Sequence, residues 1–478
     1  MSNARPIHIG GEPRRSGRTA AVADKYTGAT LAEVSVAGRA EVDEAIGVAA
    51  GARRAMAALP ISARRDALLE IARALGQRRE EFAGVLVAEV GKPISLARGE
   101  VDRAIDTFTL SAQEASRLTG DVLPLGGGAP GAGTVGLTRR APIGVCSFIT
   151  PFNFPLNLAA HKIGPAIAAG CPWVLKPDDR TPITSLLLAE VLAGLDLPGG
   201  AFSVLPCPDD GRELFSEDDR LSLLSFTGSP VVGWALRARA GRKRVVLELG
   251  GNAACIVDEG ARVDHVAERI AAGAFAQAGQ SCISVQRVLA HESVYAPLRD
   301  GLIERAKEMD AVRGAHDESA LLGPLIDERS ALRVQEWVGE AVDAGARVIV
   351  GGAREGAWFT PTILENTPRT ARVSRQEVFG PVMTIEPFED FDEAISIADD
   401  SEWGLQAGVF TDRLDRAWRA FDRLEVGGVI VNDIPTARSD AAPYGGVKGS
   451  GVGREGPRYA IRDMTELRLM VLTRPDGG

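Results

Sequence analysis

Short apolar runs alternate with helix-period segments from residue 145 onward, and nothing else in the chain restricts its fold as strongly. Residues 145–149, 173–175, 202–205, 223–226 and 245–249 each read as a buried strand, with helical stretches such as 156–169 and 182–195 between them. Such an alternation requires β-α-β crossovers, which build a mainly parallel sheet covered by helices on both faces. A second series follows, with helices near 263–277 and 295–309 and strands at 348–350, 382–385 and 429–431. The pattern predicts an α/β protein of two doubly wound lobes joined near Glu248. A Val/Thr/Leu-rich tail over 465–472 reads as a small β extension.

The first hundred residues read as mainly helical: Leu68, Ile71, Ala72 and Leu75 recur at helical spacing, with Ser62 as the cap. A second amphipathic helix is expected over 100–117, and the Gly/Pro-rich stretch from Gly126 to Gly133 reads as a loop or hairpin connection. With 478 residues the chain is long enough to bury large cores without disulfide or metal staples. Its 54 Lys+Arg against 64 Asp+Glu give a net charge of −10, which argues against a general nucleic-acid or anionic-membrane binder. The Arg-bearing N-terminus has no apolar segment of the secretory type, and no apolar run reaches the ~20 residues of a membrane span. Five scattered cysteines and five scattered histidines form neither a disulfide framework nor metal-ligand spacing. A reduced, cytoplasmic, metal-free protein is expected.

Several local patterns could carry chemistry, and each has a plainer reading. Cys282, in Gly279-Gln280-Ser281-Cys282, follows a helix among small residues that leave backbone room. A thiolate there could attack a carbonyl, although most single cysteines are small buried hydrophobes. Leu247-Glu248-Leu249-Gly250-Gly251 ends a strand in a carboxylate beside permissive backbone, which suits a general base or a solvated loop. Phe226-Thr227-Gly228-Ser229 joins a strand to a helix containing Gly233, where a pyrophosphate could approach backbone N–H groups. Gly449-Ser450-Gly451-Val452-Gly453 is better explained by turns.

The ordered set is far more specific than its parts. Pro151-Phe152-Asn153-Phe154-Pro155, Leu175-Lys176-Pro177, the Phe226 and Leu247 segments, Gly279 to Cys282, Glu377-Val378-Phe379-Gly380-Pro381 and Pro443-Tyr444-Gly445-Gly446-Val447-Lys448 occur in that order. Over essentially its whole length the chain resembles the NAD(P)-dependent aldehyde dehydrogenase superfamily, in the branch of lactaldehyde and phosphonoacetaldehyde dehydrogenases. The resemblance implies Cys282 as nucleophile, forming a thiohemiacetal and then a thioester. It implies Asn153 as oxyanion donor and Glu248 as the base that activates water. It implies NAD, with NADP possible, held by Thr150, Lys176, Asp179, Thr227, Gly228, Ser229, Gly233, Glu377 and Phe379. Asp179 stands where NAD enzymes of the family often carry glutamate, and its carboxylate should repel a 2′-phosphate.

The same resemblance divides the chain into a discontinuous cofactor-binding domain (1–122 and 141–247), a catalytic domain (248–446) and bridging segments (123–140 and 463–478) that would join a homodimer or homotetramer. Arg103, His161 and Arg438 fall at substrate-pocket positions. Converging cations would prefer a small anionic or hydroxylated aldehyde. If the arginines instead pair with Asp106 or Asp440, neutral or aromatic aldehydes become the alternative. A cofactor-independent cysteine esterase and a non-catalytic binding protein on this scaffold are remoter readings.

Overall fold

The computed structural model describes residues 4–125 and 134–473. The expected connection over Gly126 to Gly133 and the last five residues of the C-terminal bridging segment lie outside them.

Five parallel strands form the middle of the first sheet, in the spatial order Phe202–Val204, Trp173–Lys176, Val145–Ile149, Leu221–Thr227, Arg244–Glu248. From Val145–Ile149 the chain winds outward through two strands, then returns to the opposite side for the next two. The change of direction falls between Val145–Ile149 and Leu221–Thr227, and in open α/β sheets ligands bind outside the carboxyl ends of the strands at such a point. Apolar residues of helices Ile61–Gln77, Arg79–Val90, Ile94–Ala115, Pro155–Ala169 and Pro182–Ala193 cover one face. Helix Arg39–Ala58 covers much of the other.

The second sheet orders its strands Arg347–Val350, Thr362–Glu365, Val382–Phe388, Val285–His291, Ala253–Val257, Gln406–Phe410, Gly428–Val431. All neighbours are parallel except the first pair. Helices Val263–Phe275 and Glu292–Asp310 pack on one face, Phe391–Asp399 and Leu414–Arg423 on the other. The chain passes between the sheets in four residues, from the carboxyl end of Arg244–Glu248 to the amino end of Ala253–Val257. Thr465–Leu472 pairs antiparallel with Val135–Pro142 over eight residues, and Val122–Pro124 completes a three-stranded extension.

The α/β class and both doubly wound lobes match the sequence expectation. The N-terminus does not: residues 7–35 form four short strands before the first helix. Helix Ile61–Gln77 begins before Ser62, with Pro60 at the cap position, because proline tolerates the unpaired first turn. The helix expected over 100–117 is Ile94–Ala115.

Candidate active site

The two sheets meet with opposite ends. The first contributes carboxyl ends of strands, carrying Thr150, Lys176, Thr227 and Glu248; the second contributes loops before its strands, carrying Cys282, Glu377 and Phe379. Asn153 lies in the turn between strand Val145–Ile149 and helix Pro155–Ala169. Glu100 fixes that turn by accepting the Leu156 and Asn157 N–H groups at 2.9 and 3.2 Å, satisfying the helix's first donors. Glu100 also pairs with Lys92, both fully buried.

Cys282 is presented by an unusual backbone. Gln277, Ala278 and Gly279 all have positive φ, at 53°, 55° and 65°. Consecutive left-handed residues are costly for L-amino acids and persist only where surroundings dictate them. At Gly279 a Cβ would lie 2.2 Å from the Gly380 carbonyl oxygen. Gln277 Nε2 donates to the Asn153 carbonyl at 2.7 Å, and Asn153 Nδ2 donates to the Gln280 carbonyl at 2.9 Å. The turns bearing Asn153 and Cys282 are thus stitched together across the sheets. One N–H of the Asn153 amide is committed and the other is open.

The Cys282 sulfur lies 2.9 Å from the Tyr444 hydroxyl. Burial pushes its thiol up to about 12, with the Tyr444 contact and the Arg438 charge acting the other way. Both carboxylate oxygens of Glu248 are buried without a hydrogen-bond partner. Burial and the neighbouring Glu455 carboxylate hold it well above the usual range. A buried, unpartnered carboxyl close to a thiol is costly to keep and is the arrangement expected of a proton-transfer group. At Gly251 a Cβ would lie 2.4 Å from the Cys282 carbonyl oxygen, and at Gly445 one would lie 2.8 Å from Glu248 Oε1.

The residues expected to hold a cofactor line the other side. Lys176 Nζ lies 3.1 Å from both carboxylate oxygens of Asp179. The Thr150 and Thr227 hydroxyls are buried and unpartnered. Ser229 is exposed just before helix Pro230–Arg239. Gly228 and Gly233 pack closely: a Cβ would meet the Phe226 ring at 2.6 Å and Leu249 Cδ2 at 2.4 Å respectively. Glu377 accepts the Gly251 N–H at 3.1 Å, and burial raises its carboxyl to about 7. Phe379, at φ 46°, stands edge-on to Phe152.

Arg103, His161 and Arg438 do converge, around Asp440. Arg103 grips its carboxylate with two nitrogens at 2.7 and 3.0 Å, His161 Nε2 lies at 2.8 Å and Arg438 Nε at 3.7 Å. Arg438 also donates to Glu455 at 3.2 Å and lies over the Tyr444 ring at 3.7 Å. Lys162, one residue after His161, reaches Glu455 at 3.3 Å. Asp440, Tyr444, Glu455 and Lys162 were not singled out as site residues from sequence. Tyr444 sits inside a quoted motif and could have been.

Two doubly wound α/β lobes joined at Glu248 are the fold of the aldehyde dehydrogenases. A model of the aldehyde dehydrogenase family matches residues 13–470, and the chain belongs to that family. It is 44% identical over 469 residues to the 3-sulfolactaldehyde dehydrogenase of Priestia megaterium, covering 98% of this chain and 97% of that one. Its structure matches aldehyde dehydrogenase 21 of Physcomitrella patens, solved with the reaction product succinate, with a TM-score of 0.96 at 43% identity and 99% coverage of both chains. It also matches the glyceraldehyde-3-phosphate dehydrogenase GapN of Methanocaldococcus jannaschii, solved with NADP, with a TM-score of 0.92 at 35% identity over 96% of this chain and 100% of that one. Among the described residues no cluster of His, Cys, Asp or Glu could hold a metal, and no helix is long and apolar enough to cross a membrane.

Proposed function

We propose that this aldehyde dehydrogenase is a cytosolic enzyme converting a small aldehyde with a remote anionic or hydroxyl group to its carboxylic acid, through Cys282, Asn153 and Glu248. The observation that carries the reading is the pair of unpartnered Glu248 oxygens across a two-glycine step from the Cys282 loop. The Cys282 sulfur, its proton released to solvent, bonds to the carbonyl carbon as the C=O π bond opens and negative charge gathers on the oxygen. The free Asn153 N–H and the Cys282 backbone N–H are the donors for that charge; losing one such donor costs ~2.7–4 kcal/mol. What a nicotinamide cofactor supplies when bound is a hydride acceptor. Glu248 then takes a proton from the water that attacks the resulting thioester. The acid leaves and the thiol is restored.

The cofactor residues fit. Thr150 and Thr227 have hydroxyls with no internal partner, and Lys176 stands at a strand end beside Asp179. Asp179 beside Lys176 favours NAD, with NADP possible. On this reading residues 1–122 and 141–247 bind cofactor, 248–446 carry the catalytic thiol, and 123–140 with 463–478 join further copies as a dimer or tetramer. Exposed Leu467, Leu469 and Val471 on the last strand support that assembly.

Arg103, His161 and Arg438 support an anionic substrate, and the sulfonate and carboxylate in the names of two relatives agree. Pairing of Arg103 with Asp440 favours a second reading, in which the arginines are structural and neutral or aromatic aldehydes are oxidised. The deciding experiment follows NADH formation with NAD or NADP over succinate semialdehyde, phosphonoacetaldehyde, lactaldehyde, glyceraldehyde 3-phosphate, benzaldehyde and propanal, with Cys282→Ala as control. A kcat/KM preference above about tenfold for anionic over neutral aldehydes supports the first reading. Equal rates select the second, and activity in Cys282→Ala sinks the mechanism.

A further inference from the structure

We propose that Asp440 sets the charge the substrate pocket accepts, acting as an internal anion that reserves the site for aldehydes bearing one negative charge and disfavours those bearing two. This rests on the anionic-substrate reading above and deepens it.

The geometry is that of an occupied anion site. Asp440 Oδ1 accepts from Arg103 at 2.7 Å, and lies 2.8 Å from His161 Nε2 and 3.5 Å from Asn157 Nδ2; Oδ2 accepts from Arg103 Nε at 3.0 Å. This is the side-on fork by which a guanidinium recognises a free carboxylate. His161 is fully enclosed, and burial together with Arg438 lowers its pKa, so the ring is neutral. Its Nε2 lies between Asp440 Oδ1 at 2.8 Å and Arg438 Nη2 at 3.2 Å, and Nδ1 is the unpartnered buried atom. Arg438 Nε is unpartnered as well, 3.7 Å from Asp440.

Charge in the cluster can then be counted. Within the ion-paired set, Arg103, Arg438 and Lys162 carry three positive charges and Asp440 and Glu455 two negative ones; outside it, Glu248 is held protonated by burial and Glu455, and Arg454 is directed to the Gly446 and Gly453 carbonyls. One positive charge is left over. An incoming carboxylate or sulfonate neutralises it. A phosphonate or phosphate in its doubly charged form leaves a net negative charge against Asp440, which is buried, so the repulsion is weakly screened. Arg103, part of whose side chain remains open to solvent, supplies the outer donors for the substrate's anion while Asp440 holds its inner edge.

The test compares Asp440→Asn with the unaltered enzyme on succinate semialdehyde and phosphonoacetaldehyde, each kcat/KM taken relative to propanal in the same preparation. Removing the internal charge should raise the phosphonate-to-carboxylate ratio at least about tenfold, through KM. Asp440→Glu, which keeps the charge, should not raise it. In the unaltered enzyme, phosphonoacetaldehyde should lose kcat/KM relative to succinate semialdehyde as pH rises through the second phosphonate ionisation, and this needs no variant to fold. An unchanged ratio in Asp440→Asn, or a flat pH comparison in the unaltered enzyme, overturns the proposal. If the unaltered enzyme shows no preference for either anion over propanal, the parent reading has failed instead.

Discussion

Tyr444 holds the Cys282 sulfur at 2.9 Å from its hydroxyl while Arg438 lies across its ring at 3.7 Å. The thiol therefore feels a cation through an aromatic spacer rather than by direct contact. A guanidinium over a tyrosine ring is attracted to its face and favours negative charge at the hydroxyl end.

Removing the hydroxyl by Tyr444→Phe should make the thiol harder to ionise. A hydrogen bond to a charged group contributes about 1.5–3 kcal/mol, which corresponds to at least about one pKa unit. Iodoacetamide alkylation of Cys282 at fixed pH should slow about tenfold or more. An unchanged rate would show that Tyr444 does not touch the reactive sulfur in solution.

Both titrating groups of the mechanism have raised pKa values. Cys282 lies at about 12 and Glu248 well above the ordinary carboxylate range, so both are protonated at neutral pH in the resting site. Each works deprotonated: kcat/KM, which reports the steps up to the first NADH, should keep climbing with pH below the Cys282 value of about 12, and kcat should climb as Glu248 ionises. Glu248→Gln should lower steady-state turnover about 10²–10⁴-fold while leaving a first burst of NADH. A burst lost along with turnover would place Glu248 in the first chemical step.

The strands were legible where apolar runs are short and uninterrupted: residues 145–149 and 465–472 form the expected strands. Glu12–Arg14 was missed because it is three residues long and wholly exposed, and Thr19–Ala23 because its small residues surround a single buried Val22. Ala253–Val257 begins with two alanines and a cysteine, and only its last two residues, Ile256 and Val257, are β-branched. In the candidate site, Cys282, Glu248 and Asn153 are picked out by the motifs that contain them. The partner of Arg103 was narrowed only to Asp106 or Asp440, because the contact made spans 337 residues and no local pattern encodes it.

Lys92 and Glu100 form a buried pair at the root of the Asn153 turn, with the Lys92 ammonium 3.9 Å from the Phe154 ring centre. Glu100→Gln keeps the shape and the helix-capping oxygen but leaves a buried ammonium without its counter-charge. Breaking such a pair costs about 3–5 kcal/mol. Urea denaturation should show a loss of this size; a loss below about 1 kcal/mol would mean that the pair is solvated.

At Gly279 the positive φ and the Gly380 carbonyl oxygen 2.2 Å from a would-be Cβ act together. Gly279→Ala should destabilise by more than the ~1–2 kcal/mol of left-handed backbone alone and displace Cys282. Thermal unfolding and alkylation rate would both move; a change in neither would contradict the geometry.

Leu467, Leu469 and Val471 alternate along one side of an edge strand and are 59%, 55% and 51% exposed. Replacing all three with lysine should convert the expected oligomer to a smaller species by sedimentation velocity while preserving the fold by circular dichroism. An unaltered sedimentation coefficient would move the interface elsewhere.

Gly251 lets the chain leaving the strand that ends at Glu248 press its main chain against that of the Cys282 loop, and Gly250 leaves room for the Glu377 carboxylate. The spacing of base and nucleophile is consequently a main-chain gauge rather than an outcome of side-chain packing. Cores on either side can drift in sequence, as they have between this chain and relatives at 35–44% identity, without altering the gauge. A side chain grown at 251 would reset it, as would one at 279 or 445, so tolerance to change is broad around the site and falls abruptly at those glycines.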